Sequence, residues 1–258
     1  MRRSRRINEQ YLKLCHTPAQ LFKECPQNCS IPMTLYQTYK TKKDIPLLSL
    51  PYLSGITYHF YDDADCIAYL KTKPKKYLDA YFDLKDNAHK ADLWRYLILY
   101  EYGGVYLDIK CQPKKDLKEI FDWCCPDKYT WYTCRSGLED DSIHNGIIAT
   151  PPKNPVLLKC ADLICEYANS RELDQCYELF CKQMFCLISE EYAWITSSHL
   201  ENRESKCILL IEQIGNHLGD CECAGFEHLD RYSLCCNAYL YGERVFKIRD
   251  ENFPWGEN

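Results

Sequence analysis

The stretch ADLWRYLILYEYGGVYLDIK, Ala91 to Lys110, changes period in its middle. Up to Tyr102 the spacing is helical. Ala91, Trp94, Ile98 and Glu101 fall on one side and Asp92, Arg95, Leu99 and Tyr102 on another, so the segment is largely apolar and predicts a well-buried helix. Gly103 or Gly104 then stops it, because a helix ends readily on a residue that enters the left-handed region without steric cost. Val105, Tyr106 and Leu107 begin a strand, and Asp108 closes it. A helix, a glycine pair and a buried strand in succession predict an α/β sheet, and such sheets gather ligands at the carboxyl ends of their strands, where Asp108 falls. Asp92 and Arg95, three apart, are neighbours on one helix face.

The same class extends outward in both directions. MTLYQTYKT, after Pro32, and ITYHFYDD, Ile56 to Asp63, have the β-branched and aromatic content of strands and end on polar residues. YTWYTC, Tyr129 to Cys134, NGIIAT, Asn145 to Thr150, and CILLIEQI around Ile208 read as further strands. NPVLLKCADLICEYAN, with Pro155 near its start, and ELDQCYELFCKQMFCLI read as helices. There is no internal repeat. Mixed strands and helices predict one α/β domain with a helical insertion in its C-terminal half, preceded by an extension over residues 1–30.

At 258 residues with 46% hydrophobic and 14% aromatic content, the chain can bury a sizeable core. A net charge of -5 gives no global positive field for nucleic acid or an anionic membrane. The opening MRRSRR reads as a short solvated tail. Nothing apolar follows it as a signal-peptide core, and no run approaches a membrane span, so the expectation is a cytoplasmic chain without an integral membrane segment. The 18 cysteines are then expected as free thiols, buried where they act as small apolar side chains. His217, Cys221, Cys223, His228, Cys235 and Cys236 supply enough ligand atoms for a structural zinc, although their spacing matches no common finger or ribbon. Cys25 with Cys29, and Cys124 with Cys125, are weaker pairs. His16, His59, His89, His144 and His199 are scattered, and the glycine pair lacks the lysine-serine sequel of a phosphate loop.

A carboxylate at a strand end can hold a metal, accept from sugar hydroxyls or act as a base. Equally, Asp92, Arg95 and Asp108 can form a buried ion-pair network that touches no substrate.

ADLWRYLILYEYGGVYLDIK resembles the sugar-binding signature of the DXD glycosyltransferases of the OCH1-like and α-1,4-galactosyltransferase family, matching it from Ala91 to Asp108. IPMTLYQTYKT resembles the family's first strand, and DSIHNGIIATPPKNPVL the segment after the signature, so the likeness runs from Ile31 to Leu158. It implies a GT-A fold, a Rossmann-like mixed sheet flanked by helices, with a nucleotide-sugar core over 31–158 and an acceptor-side and closing region over 159–258. It implies that Tyr39 stacks on the donor's base with Gln37 and Thr38 nearby, and that Asp92, Arg95, Tyr106 and Asn145 face the donor sugar. Asp108 would hold the ribose or sugar directly or through manganese or magnesium, and Trp255 in the tail NFPW would close over the phosphates.

Lys110 departs from the pattern, standing where the second motif carboxylate reaches the cation. An ammonium cannot ligate a cation, which puts the metal in doubt. Three readings stay open: Lys110 itself neutralises the diphosphate, a metal binds through Asp108 and a carboxylate from elsewhere, or the enzyme is inactive. The reaction implied is retaining transfer of a sugar from a nucleoside diphosphate to a hydroxyl of a glycan, lipid or protein. The alternatives are a non-catalytic nucleotide-sugar or glycan-binding protein and a cysteine-rich interaction module built on a zinc.

Overall fold

The computed structural model describes residues 30–41, 48–124, 128–137, 139–170, 179–214 and 236–248. Strands β1 (Thr34–Thr38), β2 (Thr57–Tyr61) and β3 (Gly104–Leu107) are parallel neighbours in the order β2-β1-β3. Between β2 and β3 run three helices, α1 (Asp63–Leu70), α2 (Lys75–Asp83) and α3 (Asn87–Tyr102). α3 is the helix expected from the spacing, and it starts at Asn87 on the side-chain cap of Asp86. α1 and α2 were not read from the sequence. Asp62 and Asp65 cap α1 reciprocally, each accepting from the other's backbone N–H, at 3.0 and 3.2 Å respectively.

Both glycines after α3 are needed. Gly103 and Gly104 have φ of 67° and 102°, and a Cβ on Gly103 would lie 2.6 Å from the backbone nitrogen of Pro152. The chain therefore turns from helix to strand in two residues and aims Asp108 at the carboxyl edge of the parallel set.

The sheet continues from β3 through β6 (Ile143–Thr150), β5 (Tyr129–Arg135), β9 (Ser205–Ile214), β10 (Cys236–Leu240) and β11 (Glu243–Lys247) to β4 (Gln112–Pro113), with β7 (Ala193–Thr196) and β8 (His199–Glu201) forming a hairpin against β9. β6 is antiparallel to β3 and to β5, whereas β5 and β9 are parallel, so the sheet is mixed. Helices α4 (Pro155–Ser170) and α5 (Leu179–Glu191) are the helical insertion expected in the C-terminal half. Among the described residues five strands follow α4, of which only β9 was legible beforehand. β10 and β11 are joined by Tyr241 and Gly242, both at positive φ, a two-residue turn of the kind that matches hairpin twist.

β4 follows β3 by only a few residues yet sits at the far end of the strand order. Six inter-strand steps of about 4.8 Å make roughly 29 Å along a flat sheet, while the five residues from Leu107 to Gln112 span at most about 18 Å. The sheet must curl to bring its far edge back toward β3. Cys111, midway, lies with its Sγ 3.9 Å from the Gly146 carbonyl on β6 and 4.0 Å from that of Ile248 just past β11.

Strand alternation divides the core in two. Tyr36, Tyr106, Trp131 and Ile148 face α3, α4 and α5. Leu35, Val105, Leu107, Ile147 and Ala149 face the opposite layer with Leu117, Phe121, Tyr132 and Phe246. Among the described residues no helix is long and apolar enough to cross a membrane. Among the described residues Cys66, Cys111, Cys134, Cys160, Cys165 and Cys207 are buried as small apolar side chains while Cys124 is exposed. Cys25, Cys29, Cys125, His217, Cys221, Cys223, His228 and Cys235 lie outside the described residues. Of the zinc candidates only Cys236 falls within them, at the start of β10.

Candidate functional site

β3 ends at Leu107, and Asp108 opens a turn closed by the Cys111 N–H donating to the Asp108 carbonyl at 2.8 Å. The Asp108 N–H still donates to the Gly146 carbonyl at 2.8 Å, so the residue is pinned to β6 although it has left the strand. Because a turn follows Asp108, Lys110 is brought back beside it, its Nζ 3.9 Å from Asp108 Oδ2. Gln37, one strand away and 1% exposed, donates its amide to the carbonyls of Leu107 and Asp108 at 3.2 and 3.3 Å. Ser49 donates to the Cys111 carbonyl at 3.2 Å. These two side chains hold the turn from beneath.

Behind the carboxylate stands a buried polar group contributed by α3 and β6. Arg95 reaches Asp108 Oδ1 at 3.3 Å and Asp92 Oδ1 at 3.5 Å, and its guanidinium lies over the Tyr106 ring, 4.3 Å from the centroid. Its Nη1 donates to the backbone carbonyl and to Oδ1 of Asn145 at 2.9 and 3.0 Å. Asn145 in turn donates from Nδ2 to Asp92 at 2.9 Å and to the Tyr96 hydroxyl at 2.7 Å. The Tyr106 hydroxyl donates to Asp108 Oδ1 at 3.0 Å.

Asp92, Arg95, Tyr106 and Asn145 are thus brought together, as the sequence suggested, but their polar atoms satisfy one another. The alternative of a buried ion-pair network describes their contacts. Side-chain exposure separates the layers: Asp92 and Arg95 keep 7% and 5%, Asp108 and Lys110 keep 21% and 15%. Asp108 and Lys110 therefore form the more exposed layer.

The electrostatics follow from that arrangement. Burial works against charge on Asp108, but Arg95, Lys110, His144 and the Tyr106 hydroxyl outweigh it and hold the carboxyl at about 2. Burial raises Asp92 above its ordinary value, opposed by Arg95, His89 and the Asn145 amide. Arg95 loses solvation but gains more from the groups around it, Tyr106, Asp108 and Asp92, and is held firmly protonated.

Two residues gain a place that the sequence did not give them. His144 was one of several scattered histidines, and its Nε2 would lie 2.8 Å from a Cβ on Gly146, beside the Asp108 carboxylate at 2.6 Å from the same point. Gly146 is what lets the two side chains crowd one backbone position. The pairing of β5 with β6 slips here, from Tyr132 opposite Ala149 to Cys134 opposite His144, so the site sits at a bulge. The available signal was their neighbour Asn145, which the resemblance places at the donor sugar.

Of the nucleotide-side residues, Gln37 has its amide nitrogen committed to the Asp108 turn, which it is placed to steady. Thr38 donates to the Tyr61 carbonyl at 2.8 Å. Tyr39 follows β1 at the same carboxyl edge, half-buried, its N–H donating to the Tyr61 carbonyl at 3.2 Å. Trp255 lies outside the described residues.

Among the described residues the donor set does not suit a divalent cation. Asp108 is one carboxylate with Oδ1 engaged by Arg95 and Tyr106 and Oδ2 facing Lys110. Among the described residues no three His, Cys, Asp or Glu side chains gather as a cation would need.

Residues 18–125 match a family model described as the glycosyltransferase sugar-binding region containing a DXD motif. The match spans α3, β3 and the Asp108 turn. It is 28% identical over 151 residues to mannosyl phosphorylinositol ceramide synthase SUR1 of Saccharomyces cerevisiae, covering 55% of this chain and 37% of that protein. It is 31% identical over 90 residues to inositol phosphoceramide mannosyltransferase 3 of Schizosaccharomyces pombe, covering 32% and 25%. The chain therefore spans well under half the length of these curated relatives. Among solved structures, the PaToxG glycosyltransferase aligns with a TM-score of 0.46 at 17% identity, covering 71% of this chain and 78% of that one.

Proposed function

We propose that this chain transfers a sugar from a nucleoside diphosphate donor to an acceptor hydroxyl, keeping the anomeric configuration. The observation that carries the reading is Asp108: an ionised carboxylate at the carboxyl edge of a parallel strand set, fixed by Arg95 and Tyr106, inside the segment that matches a sugar-binding region. Residues 31–158 would bind the donor and 159–258 would face the acceptor, the two parts acting as one GT-A unit.

In this reading Asp108 accepts hydrogen bonds from donor hydroxyls, and Tyr39 at the end of β1 stacks on the base. Asp92, Arg95, Tyr106 and Asn145 act one layer behind, keeping Asp108 ionised and in place; a preformed carboxylate costs no reorganisation when positive charge develops on the sugar. Asp108 has no proton to give at neutral pH, so it is not the acid. As the bond from the anomeric carbon to the diphosphate oxygen breaks, the acceptor oxygen approaches the same face and forms the new bond, and its proton passes to the departing diphosphate. The relatives act on inositol-containing ceramides by name, which favours a lipid headgroup hydroxyl over a glycan or protein acceptor.

The test is turnover of a panel of nucleoside diphosphate hexoses, followed as transfer or hydrolysis, in the wild type and in Asp108→Asn, which keeps the shape and removes the charge. Turnover of one donor that drops by about 100-fold in Asp108→Asn, with the product anomer retained by NMR, supports the proposal. Donor binding without turnover in the wild type turns the assignment to a non-catalytic nucleotide-sugar-binding protein. Absence of donor binding, with stoichiometric zinc in the purified protein, turns it to the cysteine-rich module.

A further inference from the structure

The following rests on the glycosyltransferase reading and concerns what meets the donor's diphosphate. DXD glycosyltransferases generally place a divalent cation there, and among the described residues the donor set around Asp108 does not suit one. We propose that the Lys110 ammonium takes the cation's place, so that this site receives a nucleoside diphosphate without metal.

Charge arithmetic favours this. A second motif carboxylate with a divalent cation contributes one negative and two positive charges, a net of one positive. Lysine at that position contributes the same net charge by itself. The substitution leaves the electrostatic sum opposite the diphosphate unchanged, whereas a neutral residue would not.

Geometry places the charge where it is needed. Lys110 is returned to the side of Asp108 by the turn at 108–111, and only 15% of its side chain is exposed, so its field is screened less than that of a surface lysine. At 3.9 Å from Asp108 Oδ2 the contact is an ion pair longer than a hydrogen bond. Asp108 divides its charge between two cations, since Arg95 lies 3.3 Å from its other oxygen. His144, on β6 beside Gly146, adds a second nitrogen facing the same carboxylate. Phosphate oxygens are well matched by an ammonium, which acts as a compact point charge.

The experiment is titration calorimetry with uridine and guanosine diphosphate, each in manganese and again in a chelator, on the wild type, Lys110→Gln, Lys110→Arg and Lys110→Asp. Circular dichroism melting confirms that each variant is folded. The expected result is wild-type binding of one diphosphate with affinities in manganese and chelator that agree within about 2-fold. Lys110→Gln weakens binding by about 10-fold or more under both conditions, as loss of a charge-assisted contact does, and Lys110→Arg restores part of it. Lys110→Asp binds nothing in chelator and regains binding with manganese.

Wild-type binding that requires manganese overturns the inference and leaves the glycosyltransferase reading standing. So does a folded Lys110→Gln that binds as the wild type does. No binding of either diphosphate under any condition overturns the reading and the inference together.

Discussion

Gly146 is the residue on which the site's crowding turns. A Cβ there would stand 2.6 Å from Asp108 Oδ2 and 2.8 Å from His144 Nε2, closer than real contacts allow, so Gly146→Ala must push one of them aside. Rotation of Asp108 would break its contacts to Arg95 and Tyr106, and the expected outcome is donor turnover lowered by about 10- to 100-fold at an overpacking cost of about 1–3 kcal/mol, read by kinetics beside urea denaturation. Unchanged turnover would mean that the position of Asp108 is not what the site depends on. Acid stability gives a second residue-scale expectation. The Asp108 carboxyl is lowered from 3.8 to about 2, so the folded state binds this proton more weakly than the unfolded chain. Its stabilisation is complete above the unfolded value and is lost as pH falls toward about 2, an effect of about 2 kcal/mol. Asp92 runs the other way: its pKa is raised, so its charge costs stability at neutral pH and protonation on acidification relieves that cost. Denaturation of wild type and Asp108→Asn at pH 5 and again near pH 2.5 should show their stabilities converging in acid; a constant difference would exclude the linkage. Asp92, Arg95, Asp108 and Lys110 could be picked out in the sequence because spacing on one helix and one strand end reports local neighbours. The place of His144 beside Asp108 and the contact of Gln37 with the Asp108 turn could not, since both depend on which strands lie beside β3, and that is decided by tertiary pairing.

At the level of elements, the helix-to-strand reversal from α3 into β3 is the part of the fold most openly written in the sequence. Helical spacing, two glycines and an apolar run each report local conformation, and here they agree. What the residues alone left open was whether Gly103 or Gly104 mattered. Both do, for different reasons: a Cβ on Gly103 meets the backbone at Pro152, and one on Gly104 meets the Thr34 carbonyl at 2.8 Å, where β1 pairs with β3. Gly104→Ala is therefore expected to lower stability by about 2 kcal/mol or more, from strain at φ 102° together with the forced separation of two strands. Urea denaturation measures it, and a loss under about 0.5 kcal/mol, typical of surface substitutions, would show that β1 and β3 tolerate being parted. The elements that escaped notice have short or split patterns. α1 and α2 are brief helices in a polar, lysine-rich stretch. β10 and β11 are five residues each, and their turn, Tyr241-Gly242, lacks the asparagine or aspartate that usually announces such a hairpin.

For the molecule as a whole, the curl of the sheet couples the site to residues far away in sequence. β4 follows the Asp108 turn directly and pairs with β11, so the turn is anchored at one end by β3 and β6 and at the other by the last described strand. Phe246 on β11 is fully buried against Phe121, and Phe121 against Tyr132, sealing the layer beneath that closure. Phe246→Ala should cost about 3–5 kcal/mol through cavity formation and, because it loosens the anchor of the 108–111 turn, should also weaken diphosphate binding. Phe82, 59% exposed on α2, supplies the contrast: Phe82→Ala should change stability by no more than about 0.5 kcal/mol and leave binding alone. If Phe246→Ala is destabilised yet binds diphosphate with wild-type affinity, the closure is purely structural and the turn is set by β3 and β6. If affinity falls, ligand and fold are linked in both directions, and saturating diphosphate must stabilise the molecule. At 100 times its dissociation constant that stabilisation is about 2.7 kcal/mol, which for a chain of this size raises the melting temperature by roughly 5–10 °C. A chelator should leave that rise intact if Lys110 carries the charge, since nothing then remains for it to remove.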